Sequence, residues 1–270
     1  MRSLESHAGT LFLMRFMALL TTLALAAPIV SAQSPSAVFS ASRQIITVVT
    51  PNWDAVDGKL QRYKRSSAKA PWQPVGPSIP VVVGKHGLGW GQGLLTAPNS
   101  DDPLKREGDG KSPAGVYALG TAFGYAPEKL SGSNLAYLTL TPAIECVDDV
   151  NSAHYNRIVD RSSISPDWNS SEHMRNTGES YRWGIVIDHN GIAGSTKPIA
   201  GKGSCIFLHV WSGASHGTVG CTAMAQSEIE SLLTWLDPKR KPLLVQLTAD
   251  DYARLMKQWH LPTVVNLPSR

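Results

Sequence analysis

Several common residue patterns are missing from this chain of 270 residues. It contains no dense run of lysine and arginine, and its formal net charge of +4 is spread out, so nucleic acid is not an expected partner. Neither a CxxC nor an HxxxH spacing occurs, so the usual signatures of a zinc site are absent and no metal or other cofactor is predicted. No repeat of fixed period appears, so a repeat array is not expected.

Long apolar runs are also scarce, and the single candidate lies at the N-terminus. Arg15 precedes a largely apolar stretch that continues to Val30, and residues 30–32 have the small-residue pattern of a signal-peptidase site. The stretch is short and contains Pro28, which favours a cleaved secretory signal over a permanent membrane span. We therefore predict a signal peptide over residues 1–32, export to the periplasm or cell envelope, and no stable membrane anchor after cleavage.

Cysteine is equally rare, with three residues in the whole chain. An exported protein with three cysteines has one left over after pairing. Cys146 and Cys205 are the candidates for a disulfide, and Cys221 would then stay free. The alternative, in which all three are reduced and Cys146 and Cys205 are only buried, stays open because sequence does not show whether their Cα atoms lie within bonding range.

What the sequence does contain is a succession of short β-type segments. Runs of β-branched residues and alternating polar and apolar residues are typical of strands. They predict strands at residues 44–50, 58–64, 79–84, 116–119, 137–140, 185–187, 206–208 and 243–247. Because no composition break divides them, we predict one mainly β domain over residues 44–262, preceded by a flexible lead-in over residues 33–43.

Two helices at the edge of this domain are predicted from apolar spacing. The first contains Ile229 and Leu236 and follows a capping-box pattern formed by Ser227 and Glu230, and the second follows Thr248 as its N-cap.

Two polar segments interrupt the β pattern. Residues 107–113 and 151–181 are too polar for a core and are predicted as long surface loops. Asp148, Asp149 and Asp160 lie in or beside such polar sequence, and we interpret them as solvated carboxylates rather than as a catalytic pair.

The densest chemical signal lies between His209 and Cys221. An apolar strand ends near His209, a glycine-rich segment follows, and Thr218, Val219 and Gly220 lead into Cys221, where we expect a helix to begin. A thiol needs a nearby imidazole or a helix N-terminus to become a thiolate at neutral pH, so this pattern is typical of a cysteine nucleophile with a histidine base.

The roles in such a site can be assigned from residue type. Cys221 is the predicted nucleophile, His209 the base, and Gly220 the residue that lets a carbonyl carbon approach oxyanion donors. Thr218, Trp211 and Thr222 are the predicted substrate contacts.

Three other uses of these residues remain open. Cys221 could be a small buried hydrophobe, and His209 could be a core histidine whose hydrogen bonds are satisfied. Zinc could use Cys221, His209 and His216, although a fourth ligand is not evident, and His216 on its own reads as a solvated loop residue.

Residues 206–224 resemble the catalytic segment of the L,D-transpeptidase (YkuD-type) family, in the bacterial envelope branch with a short His-to-Cys loop. The segments over 108–117, 146–149, 155–160 and 183–187 are similar to that branch too, so the likeness covers most of residues 44–247. One departure is Val219, where the family motif has histidine, and another is Ala223, where arginine or asparagine is common.

The resemblance implies a β-sandwich-like catalytic domain. It also implies that Cys221 attacks a peptide bond of a peptidoglycan stem peptide, that His209 carries the proton, and that Gly220 sits beside the oxyanion. An acceptor amine would resolve the thioester in a transpeptidase, and water would resolve it in a carboxypeptidase or endopeptidase. A catalytically silent envelope-binding module is the alternative outside the enzymes.

Overall fold

The computed structural model describes residues 34–97, 99 and 101–263. The predicted signal peptide over residues 1–32 lies outside the described residues. Within them the strands are β1 (Gln44–Thr50), β2 (Asp57–Lys64), β3 (Gln73–Val82), β4 (Leu88–Trp90), β5 (Ser112–Gly124), β6 (Tyr137–Thr139), β7 (Ile144–Val147), β8 (Ile158–Asp160), β9 (Ser171–His173), β10 (Trp183–Ile187), β11 (Phe207–Val210), β12 (Thr222–Met224) and β13 (Leu243–Thr248). The α-helices are α1 (Pro35–Ala41), α2 (Gln226–Trp235) and α3 (Ala249–Trp259).

Most of the strands belong to one ten-stranded sheet, in the order β10-β11-β12-β3-β2-β1-β13-β5-β4, with β6 beside β5. The long strand β5 pairs with β13 through Gly115 to Ala118 and with β10 through Leu119 to Gly124. Because β5 lies near one end of this order and also pairs with β10 at the other end, the hydrogen-bonded sheet closes on itself. The junction of β12 and β3 is the narrowest, since only Ala223 and Val82 are paired there.

The centre of the sheet follows from its sequence. All seven residues of β1 are buried, as are all six of β13, and the two strands run parallel with Ile45 opposite Leu243. A run of β-branched residues that is covered on both faces is typical of a central strand. The prediction of a mainly β domain with few helices is confirmed.

The two predicted helices are present, with one difference in capping. Thr248 caps α3, and its hydroxyl oxygen accepts a hydrogen bond from the N–H of Asp251 at 3.2 Å. The predicted capping box at Ser227 is wrong, because α2 begins at Gln226 and its N-cap, Ala225, has no capping side chain. Glu230 instead accepts a hydrogen bond from the side chain of Gln226 at 2.8 Å.

The lead-in over residues 33–43 was predicted to be flexible, and this is wrong for its helical part. Helix α1 is capped by Ser34, has a proline in its first turn, and buries Val38 and Phe39. The Phe39 ring contacts the Trp259 ring of α3, with 6.4 Å between centroids. The buried guanidinium of Arg65 donates hydrogen bonds to the carbonyls of Ser42 and Phe39. Two buried apolar side chains and the hydrogen bonds of Arg65 attach this small polar segment to the core.

The polar segment over residues 151–181 is also more ordered than the loop that was predicted. Strands β8 and β9 flank β7 to form a second, three-stranded sheet. Two turns of 3₁₀ helix follow, at Met174–Asn176 and Gly178–Tyr181, and both Met174 and Tyr181 are buried. Among the described residues, no helix is long and apolar enough to cross a membrane.

The packing of α1 generates a stability prediction. We expect Phe39→Ala to lower the free energy of unfolding by about 3–5 kcal/mol, because it removes a fully buried ring and leaves a cavity beside Trp259. Urea denaturation of both proteins measures the change. Ser40→Ala, on the exposed face of the same helix, is the control and should be nearly neutral. A cost below about 1 kcal/mol for the Phe39 variant would mean that α1 does not pack in solution.

Candidate active site

The pairing of β11 with β12 positions the predicted nucleophile and base. The two strands run parallel, with His209 opposite Ala223. Cys221 lies two residues before Ala223, directly ahead of β12, and alternate residues of an extended chain point to the same side. Cys221, His209 and Ala223 accordingly line one pocket. No helix begins at Cys221, which corrects the sequence prediction, since α2 starts at Gln226.

The backbone at Cys221 is held by two hydroxyl groups. Its carbonyl oxygen accepts hydrogen bonds from Ser112 Oγ at 2.7 Å and from Thr218 Oγ1 at 2.6 Å. Thr218 Oγ1 also accepts the N–H of Gly220 at 3.1 Å. Thr218 lines the pocket, where the sequence predicts a substrate contact. Its hydroxyl, however, is already used in hydrogen bonds within the turn.

Gly220 is a point of close approach between the turn and its neighbours. A Cβ atom added there would lie 3.2 Å from Ile206 Cδ1 and 3.4 Å from the carbonyl oxygen of Lys111. With the Gly220 N–H bonded to Thr218, the N–H groups of Val219 and Cys221 are the donors of this turn without an acceptor among the described residues, and that of Cys221 belongs to the nucleophile candidate itself. It is the better placed of the two to face an oxyanion.

The thiol of Cys221 is buried in a mostly neutral environment. Sγ accepts the N–H of Phe207 at 3.3 Å and lies 3.5 Å from the carbonyl oxygen of Cys205, to which its S–H can donate. Desolvation, with a smaller contribution from the charge of Glu172, raises the pKa of the Cys221 thiol to about 12. The side chain is thus a protonated thiol in the free protein at neutral pH.

His209 is oriented by a backbone carbonyl. Its Nδ1 lies 2.8 Å from the carbonyl oxygen of Val210, so Nδ1 carries the proton and Nε2 has a free lone pair. Burial lowers the pKa of His209 below its usual value. The imidazole is therefore neutral and available as a proton acceptor at neutral pH. Its ring packs edge-on against the ring of Tyr181, with 5.5 Å between centroids.

Two residues of the pocket, Tyr181 and Glu172, were missed by the sequence analysis. The Tyr181 hydroxyl donates a hydrogen bond to Glu172 Oε1 at 2.8 Å, and the side chain belongs to the same buried cluster as Cys221. Burial raises the pKa of Glu172 to about 7, helped by the nearby charge of Asp148. Both residues lie in the polar segment that was predicted to be a surface loop, and no motif of the sequence marks them.

The ring of Tyr181 is fixed by aromatic contacts. Its centroid lies 5.2 Å from that of Phe123 and 5.7 Å from that of Phe207, both in edge-to-face geometry. Phe123 in turn covers Gly184, where an added Cβ would lie 2.2 Å from the Phe123 ring, so glycine is required there. The ring of Tyr181 is consequently held in place, with its hydroxyl on Glu172.

The pocket itself has a volume of about 550 Å³ and opens at the loop between β11 and β12. Trp211, predicted as a substrate contact, lines it and is half-buried. Val219, which stands where the family motif has histidine, lines it with 73% of its surface exposed. His216 also lines the pocket and is exposed, in agreement with a loop position.

Thr222 was predicted as a substrate contact, and the structure contradicts this. Its side chain is fully buried, and its hydroxyl donates a hydrogen bond to Gln246 Oε1 at 2.7 Å. Gln246 continues the contact through Nε2, which donates to the carbonyl of Pro113 at 3.0 Å. Thr222 points away from the pocket because it alternates with Cys221 along the chain.

Lys105 places a buried cation beside the turn. Its ammonium group is buried and makes a 2.6 Å ion pair with Asp109, and a Cβ added to Gly220 would lie 4.0 Å from Lys105 Cε. Its positive charge lowers the pKa of the Cys221 thiol, but less than burial raises it. Within the described ranges, no group of three or more His, Cys, Asp or Glu side chains is arranged to hold a metal ion.

The other two cysteines form a disulfide beside the pocket. Cys146 of β7 and Cys205 are bonded, with a Cα–Cα distance of 5.9 Å, and Cys221 is free. The N–H of Cys205 donates to Asn156 Oδ1 at 3.0 Å. Cys205, whose carbonyl oxygen lies 3.5 Å from Cys221 Sγ, is therefore held both by the disulfide and by this hydrogen bond.

Comparison of the chain with family models, with curated proteins and with solved structures found no match. The function must be argued from the pocket and from the residue motifs that carry the resemblance.

The disulfide leads to a prediction on thiol content. Protein purified from an oxidising compartment should show one free thiol per chain when it is denatured without reductant and titrated with a thiol reagent, because only Cys221 is unpaired. After reduction the count should rise to three. Three free thiols before reduction would contradict the disulfide and would leave the assignment of Cys221 untouched.

Proposed function

We propose that this protein is an exported cysteine acyltransferase of the L,D-transpeptidase type that acts on peptidoglycan stem peptides. The observation that carries the proposal is the placement of the free thiol of Cys221 and the neutral imidazole of His209 on adjacent strands of one pocket. The mainly β architecture is compatible with the β-sandwich-like fold that the resemblance implies. The choice of peptidoglycan rests on the resemblance alone.

The geometry supports a two-step acyl transfer. In the first step His209 Nε2 takes the thiol proton as Cys221 Sγ attacks a peptide carbonyl carbon, and the N–H of Cys221 donates to the developing oxyanion. The C–N bond then breaks, the leaving amine takes a proton from His209 Nε2, and a thioester remains. In the second step an acceptor amine attacks the thioester and gives up a proton to His209 Nε2, the C–S bond breaks, and Nε2 returns that proton to Sγ.

The pocket departs from the family motif on one side. Val219 presents an exposed apolar side chain where the family has an imidazole, and the buried Ala223 has no side-chain donor. These two side chains can therefore offer apolar contact to a substrate but no hydrogen bond. Neither change affects Cys221 or His209, so it is the preference among acyl donors, rather than the chemistry, that should differ.

Incubation of the purified protein with muropeptides, followed by mass spectrometry, tests the proposal. Cross-linked stems are the expected product, while trimmed stems without cross-links would assign the same thioester chemistry to a hydrolase. Cys221→Ala should abolish either product, since the nucleophile is lost and the fold depends on other contacts. Absence of product from the unsubstituted protein, with every acceptor supplied, would favour a silent binding module instead.

The role of His209 has its own test, in which a strained β-lactam of the carbapenem type serves as the acyl donor. His209→Ala should slow the appearance of the covalent adduct in intact-mass spectra by about a hundredfold or more, because a general acid–base catalyst is lost. His216→Ala is the matched control, since it removes an exposed imidazole from the same pocket, and it should stay within about threefold. A similar effect of both variants would remove His209 from its role.

A further inference from the structure

A second cavity, which we call the side cavity, shares one residue with the pocket of Cys221. It has a volume of about 220 Å³, and its lining includes Asp57, Lys59, Ser78, Pro80, Trp211 and Ala214. Trp211 also lines the pocket of Cys221 and is the one residue that the two cavities have in common. A ligand that fills one cavity can therefore continue past Trp211 into the other.

The floor of the side cavity is the outer face of β2 and β3. Along β2, Asp57 and Lys59 are exposed on either side of the buried Gly58. Lys59 is paired with Pro80 of β3, which is exposed, as is Ser78 two residues before it. Because paired residues and alternate residues of antiparallel strands point to the same face, these four exposed side chains share one surface.

The wall beside this floor comes from the loop between β11 and β12, which supplies Trp211 and Ala214. The N–H of Trp211 donates to the carbonyl oxygen of Met224 at 2.8 Å, which fixes the start of the loop. Further along, a Cβ added to Gly217 would lie 2.9 Å from Val56 Cγ1, so the loop closely approaches the residue before β2. The wall is thus held against the floor at both ends.

The side cavity presents three polar side chains that are available to a ligand. Asp57, Lys59 and Ser78 are exposed, and none of their side chains has a hydrogen-bond or ion-pair partner among the described residues. They offer an anionic acceptor, a cationic donor and a hydroxyl that does both. Because the two charges cancel, the cavity suits a neutral ligand with several hydroxyl groups better than an ion. The indole of Trp211 adds an apolar ring whose negative face attracts the C–H groups of a sugar ring.

Size and backbone chemistry favour a sugar ring over a peptide strand. A volume of about 220 Å³ is below the roughly 300–1,000 Å³ of a site that encloses a whole ligand, so it fits one ring of a larger ligand. An extended peptide would instead pair with the free edge of a strand. However, β2 is paired on both sides, and three residues of β3, Pro74, Pro77 and Pro80, have no N–H to donate.

We propose that the side cavity is a subsite for one sugar ring of a glycan, and that the peptide carried by this glycan reaches Cys221 past Trp211. The choice of a sugar rests on the side cavity alone, whereas the link to a peptide rests on the proposed function. A ligand that occupies both cavities gains contacts that a free peptide lacks, so sugar-bearing stem peptides are the preferred substrates.

Titration of the purified protein with a soluble chitin tetrasaccharide, followed by amide NMR, tests the subsite without any turnover. The amide signals of Lys59 and Ser78 report on the side cavity, since neither residue lines the pocket of Cys221. They should shift saturably, with a Kd in the millimolar range that is usual for a small contact area.

Variants locate the binding. Trp211→Ala should raise the Kd about tenfold, whereas Trp211→Phe keeps an aromatic ring and should stay within about threefold of the unsubstituted protein. Lys59→Met should raise the Kd by about threefold or more, because a charged donor is lost. Lys64→Met is the matched control, since it removes another exposed lysine of β2 that lies outside the side cavity, and it should leave the Kd unchanged.

Two further probes separate the proposal from its alternatives. A free stem peptide should leave the signals of Lys59 and Ser78 in place, and a sugar-bearing muropeptide should have a lower KM than the same stem without sugar. Absent saccharide shifts, a Kd that is unaffected by Trp211→Ala and Lys59→Met, equal shifts from the free peptide, or equal KM values would each overturn the proposal. Saccharide binding does not require a thioester at Cys221, so a failure of the proposed function stays distinguishable.

Discussion

The parallel pairing of β11 with β12 is the constraint on which the pocket depends. It places His209 beside Ala223 and brings Cys221 onto the same side of the sheet. A slip of one residue between the two strands would turn Cys221 into the position of Thr222, which is fully buried and faces Gln246. Two hydroxyl groups fix the carbonyl of Cys221, which is the last residue before β12, and so they hold this register where the pairing is short.

The electrostatics of the pocket follow from its burial. Removing the thiol from water raises its pKa, and the same lack of water makes each nearby charge and dipole more effective. Lys105 and the N–H of Phe207 favour the thiolate, whereas Glu172 opposes it, so the protonation state of Cys221 is a balance of groups on three different parts of the chain. A thiol in such a pocket is weakly reactive in the free protein, and its pKa responds strongly to any charged or polar group that enters.

The elements predicted well are those whose signal is local. The strand over residues 44–50 is a continuous β-branched run, and its bounds agree with those of β1. Phe39 was missed because two buried side chains give a short helix no visible period. Tyr181 and Glu172 were missed because their burial comes from partners far along the chain, which a polar local sequence does not reveal. Thr222 was assigned to the substrate only through its proximity to the motif.

If Cys221 is the nucleophile, as proposed, the disulfide has a consequence for how active protein is made. Three cysteines allow three pairings, and two of these would consume Cys221, so a chain with the wrong bridge would carry no nucleophile. The native bridge uses Cys205, whose carbonyl oxygen lies 3.5 Å from Cys221 Sγ. The free thiol therefore lies against the backbone of one of the bridged residues, and the burial that keeps it protonated disfavours thiol–disulfide exchange. Under the proposed function, the pairing that leaves Cys221 free and the contact that keeps it buried thus involve the same residue, Cys205.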